Sequence, residues 1–335
     1  MTKKIYDIAI IGAGSAGVMA ALRGVLNNDR VILFPGNIKN KRRSRAKWVK
    51  KVENIPGFLN FSKGIEDPNK QTINFIKRSE YADNLTLLEN TGIQRLEKQD
   101  DLFLLKDSEN KNHYARHIVL ATGVMDVQPH INGSIKPIFK FANKQQVDYC
   151  LRCDGHHIKG KETTVIGHTD SAAWVAIMLY ERYSPPTMTI LTNGQESKFS
   201  DETKKLIDLY KIDVIEDEII DLRGEVETGL EGYILDSGHY VHSDFTFISL
   251  GMIVYNELAL QLGAEVDQRG FVITNDKGES SIENLYIAGD LRAGIKKQIY
   301  SAWDSAVDSL DDINRKLRLR KRKDALKKSA HMNYL

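Results

Sequence analysis

Ile5-Tyr6-Asp7-Ile8-Ala9-Ile10-Ile11 is a short, mostly apolar run, the pattern of a parallel strand buried on both faces. It stops at Gly12-Ala13-Gly14-Ser15-Ala16-Gly17, and an apolar helical stretch follows from Val18 to Leu26. Arg30-Val31-Ile32-Leu33-Phe34 predicts a second strand. Together they make a βαβ unit with a glycine fingerprint at its first turn. The pattern restarts with a strand at Thr163-Thr164-Val165-Ile166-Gly167, a helix over 171–183 and a strand over 188–191. Two such starts predict two doubly wound, Rossmann-like α/β domains, related as a degenerate internal repeat. Later, Glu283 to Asp290 predicts a strand running into a Gly-Asp turn, with a helix over 297–317 after it.

The chain has 335 residues, enough for two domains. With 41% hydrophobic and 27% charged residues it can build real cores. The balance of 47 basic against 45 acidic side chains argues against a whole-chain nucleic-acid or membrane binder. No apolar run reaches the roughly 20 residues of a membrane span. Two cysteines rule out a disulfide-stapled secreted scaffold, and Met1 to Asp7 leads straight into a strand pattern without a signal-peptide core. The expectation is a cytoplasmic protein.

The first glycine loop needs small residues for three reasons. Gly12 permits the tight turn, Gly14 lets backbone N–H groups approach a pyrophosphate, and Gly17 lets helix and strand pack closely. The helix N-terminus behind it favours phosphate. The acid expected at the end of the second strand, to hold an adenosine ribose, is replaced by Leu33-Phe34-Pro35-Gly36. Asp290, a carboxylate at a strand end before a helix, suits a ribityl hydroxyl, which points to a flavin; its alternative role is a turn or helix cap.

The chemical centre is Tyr149-Cys150-Leu151-Arg152-Cys153-Asp154-Gly155-His156-His157. Two thiols separated by two residues can close a small disulfide ring, Arg152 could stabilise a thiolate, and Asp154 or a histidine could carry protons. Zinc held by Cys150, Cys153, His156 and His157 is the rival, weakened by the adjacency of the histidines and the lack of a second pair. No metal is expected.

These residues resemble the low-molecular-weight thioredoxin reductases, up to residue 312. That family carries an FAD glycine loop, a Val-Glu-Asn-x-Pro-Gly-Phe segment, an Ala-Thr-Gly strand end, a Cys-x-x-Cys-Asp-Gly centre, and Ala-Gly-Asp followed by Arg-Gln-x-x-x-Ala. Here they stand as Gly12–Gly17, Val52–Phe58, Ala121-Thr122-Gly123, Cys150–Gly155, and Ala288-Gly289-Asp290 with Lys297-Gln298-Ile299-Tyr300-Ser301-Ala302. The resemblance implies one FAD per subunit, at Gly12, Gly14, Ser15, Ala16, Gly17, Gly123 and Gly289, with Asn54, Asp290 and Gln298 near the flavin. It implies that Cys153 faces the ring, that Cys150 attacks the disulfide of a thioredoxin-like partner, and that Asp154 is the acid/base. It also implies a homodimer.

The second glycine loop departs from the family. Where the relatives have Gly-Gly-Gly-Asp-Ser-Ala, this chain has Gly167-His168-Thr169-Asp170-Ser171-Ala172, and Thr192-Asn193-Gly194 replaces the arginines that read a 2′-phosphate. This argues against NADPH and towards an NADPH-independent branch, similar to the diflavin-linked disulfide oxidoreductases and the ferredoxin-dependent flavin thioredoxin reductases. The segment 39–51 has eight basic residues of thirteen. It suits an acidic donor such as ferredoxin or flavodoxin, or a second FAD gripped by Arg43 and Arg45 and stacked on Trp48. Trp174 replaces an expected glutamate near the same cleft, and Tyr334, in the tail, could reach a flavin. The expected domains are an FAD domain of 1–132 plus 246–312, an inserted disulfide-bearing domain of 133–245, and a basic tail of 313–335. Ordinary NADPH-dependent reduction, a dithiol oxidase that uses oxygen, and a non-enzymatic flavin-binding adaptor remain as rivals.

Overall fold

The structure is a computed structural model, in which residues 3–37, 45, 49, 51–142 and 145–332 are described, the side chains of 330–332 excepted. The chain divides into two compact units: Met1–Ser44, Ile65–Val124 and Val254–Leu335 form one, Arg45–Gly64 and Met125–Ile253 the other.

The first unit opens with β1 (Ile5–Ile11), α1 (Ser15–Leu26) and β2 (Val31–Phe34). It resumes with α2 (Glu66–Arg78), β3 (Leu85–Leu87), β4 (Ile93–Gln99), β5 (Leu102–Asp107) and β6 (Asn112–Leu120). The strand order is β3-β2-β1-β6-β5-β4, parallel from β3 to β6 and antiparallel beyond. Successive residues of β1 go to opposite faces, as the pleat requires. Ala9 and Ile11 enter one apolar cluster, Ile8 and Ile10 the other, so both faces are covered and the strand is apolar almost throughout.

The second unit contains β7 (Val124–Asp126), α3 (Lys136–Ala142), β8 (Val147–Asp148), α4 (Leu151–Asp154), β9 (Thr163–Ile166), α5 (Asp170–Tyr183) and β10 (Met188–Leu191). It continues with α6 (Asp201–Tyr210), β11 (Asp213–Ile215), β12 (Ile219–Glu225), β13 (Gly229–Leu235), β14 (Tyr240–His242), β15 (Phe245–Ile248) and β16 (Met252–Val254). A five-stranded parallel sheet runs β11-β10-β9-β15-β8, and β12-β13-β14 form an antiparallel sheet. Val165 packs with α5 and α6 on one face, while Ile166 packs with α3 and the antiparallel strands on the other. β7 and β16 pair as a ribbon where the chain passes between the units.

The first unit ends with α7 (Glu257–Gln261), β17 (Leu285–Ile287) and α8 (Ile299–Met332). β6 can serve two partners on one edge because it is nine residues long: its first half pairs with β5, its second half with β17. α8 packs on α1, where Gly24 leaves room: a Cβ there would come within 2.9 Å of Val31 and 3.3 Å of Leu310.

The elements around both glycine loops lie within a few residues of the sequence expectation. Two expectations are corrected. β15 sits centrally in the second sheet, so that unit runs past residue 245 to Ile253, and it also takes in the segment 45–64. The helix expected to end at 317 continues to Met332, so residue 313 begins no separate tail: Ile313 and Leu317 are buried in the α1–α8 core. No helix among the described residues is long and apolar enough to cross a membrane.

Candidate active site

In the second unit β8 ends at Asp148, and two residues later the chain turns into α4. Cys150 is the N-cap of this short helix, with extended backbone, and the backbone N–H of Cys153 donates to its Sγ at 3.1 Å. That turn brings the two Cα atoms within 5.3 Å, and Cys150 and Cys153 are disulfide-bonded. The same N–H is placed to stabilise a Cys150 thiolate once the bond opens.

Asp154 follows directly and is buried. Burial pushes its carboxyl up to about 7, and the nearby Asp148 carboxylate pushes the same way, against the pull of His157. Burial also raises Asp148. His157 lies between two carboxylates: its Nδ1 is 3.5 Å from Asp148 and its Nε2 is 2.6 Å from Glu53. The hydrogen bond to Asp148 comes first in raising the His157 imidazole, and the bond from His157 comes first in lowering Glu53. His156 Nε2 is 2.9 Å from the same Glu53 oxygen. Tyr149 donates its hydroxyl to Gln128 at 2.7 Å.

Glu53 and Asp148 are the functional candidates that sequence reasoning missed. Glu53 was visible only as one letter of the Val52–Phe58 segment, about a hundred positions from the histidines, and no local periodicity signals that approach. Asp148 sits at the end of a two-residue strand, too short to register as one.

In the first unit the FAD-type residues assemble from three distant stretches. Gly12 has φ +106°, and a Cβ on it would collide with the Ala121 carbonyl; a Cβ on Gly17 would collide with the Gly12 carbonyl. A Cβ on Gly14, by contrast, meets no protein atom within 4 Å. Gly14 caps α1 without a side-chain hydrogen bond, and the first turn of α1 carries no acid. Its leading N–H groups are thus left to an anionic ligand at Ser15, Ala16 and Gly17. Gly289 approaches from another direction: its N–H donates to Ser305 Oγ at 2.9 Å, and a Cβ would come within 2.8 Å of Ala16. Gly123, at φ +69°, accepts a hydrogen bond from the Tyr255 N–H. Gln298 is buried immediately before α8, and Asp290 is half-buried in the turn after β17. The open space at Gly14 and the uncapped start of α1 fit the approach of a dinucleotide pyrophosphate such as that of FAD. Asn54 belongs to the second unit, beside Glu53.

The second glycine loop is built differently. A Cβ on Gly167 would approach the Ser249 carbonyl to 2.5 Å, so packing requires this glycine, as it does Gly12 in the first loop. His168 and Thr169 follow it, and the Lys198 N–H donates to the His168 carbonyl at 2.7 Å, tying the segment before α6 onto the loop. His168 Nδ1 is buried with no hydrogen-bond partner among the described residues. Asp170, in the first turn of α5, accepts from the Ser200 N–H at 2.9 Å and from the Thr203 hydroxyl at 2.6 Å. Those bonds, the Ser200 one foremost, hold its carboxyl below the usual range.

The residues expected to meet a second flavin or a donor divide in two. Arg45 makes a two-pronged ion pair with Asp126, at 2.8 and 2.9 Å, and its guanidinium is engaged within the second unit. Trp174 packs against the α5–α6 core and helps hold Asp170, so its ring is part of the packing as well as near the loop. Arg43, Trp48 and Tyr334 lie outside the described residues.

A family model described as pyridine nucleotide-disulphide oxidoreductase matches residues 6–309. The thioredoxin reductase of Bacillus subtilis (strain 168) is 28% identical over 306 residues, spanning 90% of this chain and 91% of that protein. The thioredoxin reductase of Treponema pallidum (strain Nichols) is 25% identical over 303 residues, spanning 89% and 92%. Among solved structures, thioredoxin reductase from Streptococcus pyogenes MGAS5005 superposes with a TM-score of 0.79 at 20% identity, covering 95% of this chain and 99% of that one, which shows the shared fold.

Proposed function

The chain belongs to the pyridine nucleotide-disulphide oxidoreductase family, and from that premise we propose that it reduces the disulfide of a thioredoxin-like protein without using NADPH. It is a flavin-dependent disulfide oxidoreductase of the thioredoxin reductase kind, with Cys150–Cys153 as its redox pair. The observation that carries the proposal is the N-capped Cys150 beside a buried Asp154, in a unit whose second glycine loop has lost two of three glycines.

When bound, FAD supplies the two electrons that open the disulfide. The chain's own residues do the rest. Gly12, Gly14, Ser15, Ala16 and Gly17 hold the pyrophosphate with backbone N–H groups. Gly123, Gly289, Asp290 and Gln298 complete the cradle in the first unit, and Asn54 belongs to the flavin's surroundings by resemblance. Cys150, stabilised as a thiolate by the Cys153 N–H, attacks the partner disulfide, and Cys153 resolves the mixed disulfide. Asp154 holds or releases the proton that this exchange requires.

The case against NADPH is chemical. His168 and Thr169 put side chains where a pyrophosphate needs bare backbone, and Thr192-Asn193-Gly194 offers no guanidinium for a 2′-phosphate. Electrons then come from an acidic ferredoxin- or flavodoxin-type protein or through a second FAD. We also propose a homodimer that works in the cytoplasm.

The test is anaerobic titration of the purified flavoprotein with its FAD-to-chain ratio measured. NADPH should leave the flavin oxidised, while reduced ferredoxin or flavodoxin should bleach it and allow thioredoxin reduction. Stoichiometric bleaching by NADPH would instead make this an ordinary NADPH-dependent reductase. Rapid oxygen consumption with small dithiols would make it an oxidase.

A further inference from the structure

Opening the Cys150–Cys153 bond with two electrons takes up two protons, and closing it against a partner disulfide gives two back. Asp154 stands next to Cys153 but is only 8% exposed, so it has little direct exchange with water. A line of titratable side chains leads outward from it. One oxygen each of Asp148 and Asp154 and a ring nitrogen of His157 lie within 4.8 Å of one another. His157 reaches Glu53 at 2.6 Å through its other nitrogen, and Glu53 reaches His156 at 2.9 Å. Side-chain exposure climbs along the line, from 14% at Asp148 and 17% at His157 to 29% at Glu53 and 50% at His156.

We propose that Asp148, His157, Glu53 and His156 relay protons between Asp154 and solvent, with His157 as the positioning residue at the centre. An imidazole with a carboxylate at each nitrogen can accept a proton on one side and release one on the other. Among the described residues, Arg45, paired with Asp126, acts on Asp154 and Lys161 acts on Asp148; the Phe245 ring flanks His157 at 5.8 Å.

The exchange balances as follows. The Cys150 thiolate forms a bond to one partner sulfur, the partner's S–S bond breaks, and the leaving sulfur takes a proton. The Cys153 thiol gives its proton to the Asp154 carboxylate and attacks Cys150. The bond from Cys150 to the partner breaks, and the second partner sulfur leaves and takes a proton. The dithiol has then lost two protons, one from Cys150 before the attack and one through Asp154, which the relay delivers to solvent. The partner thiols have gained two.

The inference rests on the redox-pair reading, and its test separates the two. The whole protein is reduced with dithiothreitol, freed of it anaerobically, and alkylated with iodoacetamide across a pH series. Wild type is compared with His157→Gln and Glu53→Gln, each checked by its thermal melt. Loss of the His157 imidazole from the line that ends at Asp154 should shift the alkylation midpoint by about 0.5–1 pH unit. Exchange with a bacterial thioredoxin disulfide should slow by roughly 10-fold or more in both variants and recover on adding imidazole, with wild type indifferent to imidazole. Folded variants with the wild-type midpoint and no response to imidazole would overturn the relay. So would one zinc per chain retained through dialysis against a chelator, because a bound ion would hold His157 and Glu53 unprotonated. If wild type exchanges with no disulfide, the redox-pair reading falls and takes the relay with it; if wild type exchanges and the folded variants do so at the same rate, only the relay falls.

Discussion

At the scale of single residues the chemistry turns on which sulfur is exposed to attack and where one proton sits. The Cys153 N–H points at Cys150 Sγ, which marks Cys150 as the better thiolate. Cys153→Ser should therefore trap a stable mixed disulfide with a thioredoxin-like protein, visible on a non-reducing gel and by intact mass. Cys150→Ser should trap none, and both should lose turnover. Asp154 yields a second expectation, with a definite sign. Burial holds its carboxyl at about 7 in the folded chain, against 3.8 for an ordinary aspartate. Between those values the native state holds a proton that the unfolded chain has released, so this group's contribution to stability falls as pH rises through that window. Asp154→Asn should remove that fall: the melting temperature should drop less between pH 5 and pH 8 than in wild type, at about 2–4 °C for each kcal/mol involved. The exchange rate should lose its inflection near neutral pH in the same variant. Cys150, Cys153 and Asp154 were legible in the sequence because their chemistry is local, six consecutive letters from Cys150 to Gly155. Glu53 was not, because what brings it to the site is a hydrogen bond to His157 across 104 positions.

Elements show the same division between local and remote causes. β1 and α1 could be read from sequence because burial on both faces, three glycines and an apolar helix stripe are consecutive features. The length of α8 could not. Its exposed half after Leu317 is mostly basic, and the apolar residues there, Leu319 and Leu326 among them, are too sparse to make a stripe, although nothing in it breaks a helix. That difference within α8 predicts a truncation pair. Ending the chain at Arg318 removes residues that are exposed where described and should leave the melting temperature within about 1 °C. Ending it at Asp312 deletes the buried Ile313 and Leu317 and should cost about 2–5 kcal/mol for each, enough to unfold the α1–α8 face. The glycine loop before α1 predicts a second pair. Gly17→Ala drives a Cβ into the Gly12 carbonyl and should both destabilise the unit and strip it of flavin. Gly14→Ala meets no protein atom and keeps a backbone that alanine tolerates, at φ −75°. It should melt like wild type yet purify with less FAD, because the added methyl stands where the pyrophosphate must approach. Equal flavin content in Gly14→Ala and wild type would mean that the phosphates bind elsewhere.

For the whole molecule, the decisive contrast is between the two helix N-termini that follow the two glycine loops. α1 begins behind Gly14 with no acid in its first turn and no side-chain cap. α5 begins behind Thr169 with Asp170 already hydrogen-bonded in its first turn and the segment before α6 tied across the loop. The sequence disclosed this asymmetry through two missing glycines and three missing basic residues. The joining of 45–64 to the second unit stayed hidden, since that segment has no periodicity and its attachments, Arg45 to Asp126 and Glu53 to His157, are side-chain pairs between distant positions. A pyrophosphate that meets two side chains where it needs bare backbone, with no arginine fork to hold a 2′-phosphate, binds weakly. NADPH affinity should accordingly be poor, and one change should not restore it. His168→Gly plus Thr169→Gly reopens the backbone without supplying the 2′-phosphate contacts. Adding Thr192→His, Asn193→Arg and Gly194→Arg supplies them. In stopped-flow anaerobic reduction the glycine pair alone should leave NADPH bleaching slow, and the fivefold variant should bleach measurably faster and prefer NADPH to NADH. Fast bleaching of the unmodified protein at micromolar NADPH would show that backbone dipoles alone suffice, and the donor assignment would revert to the nicotinamide nucleotide.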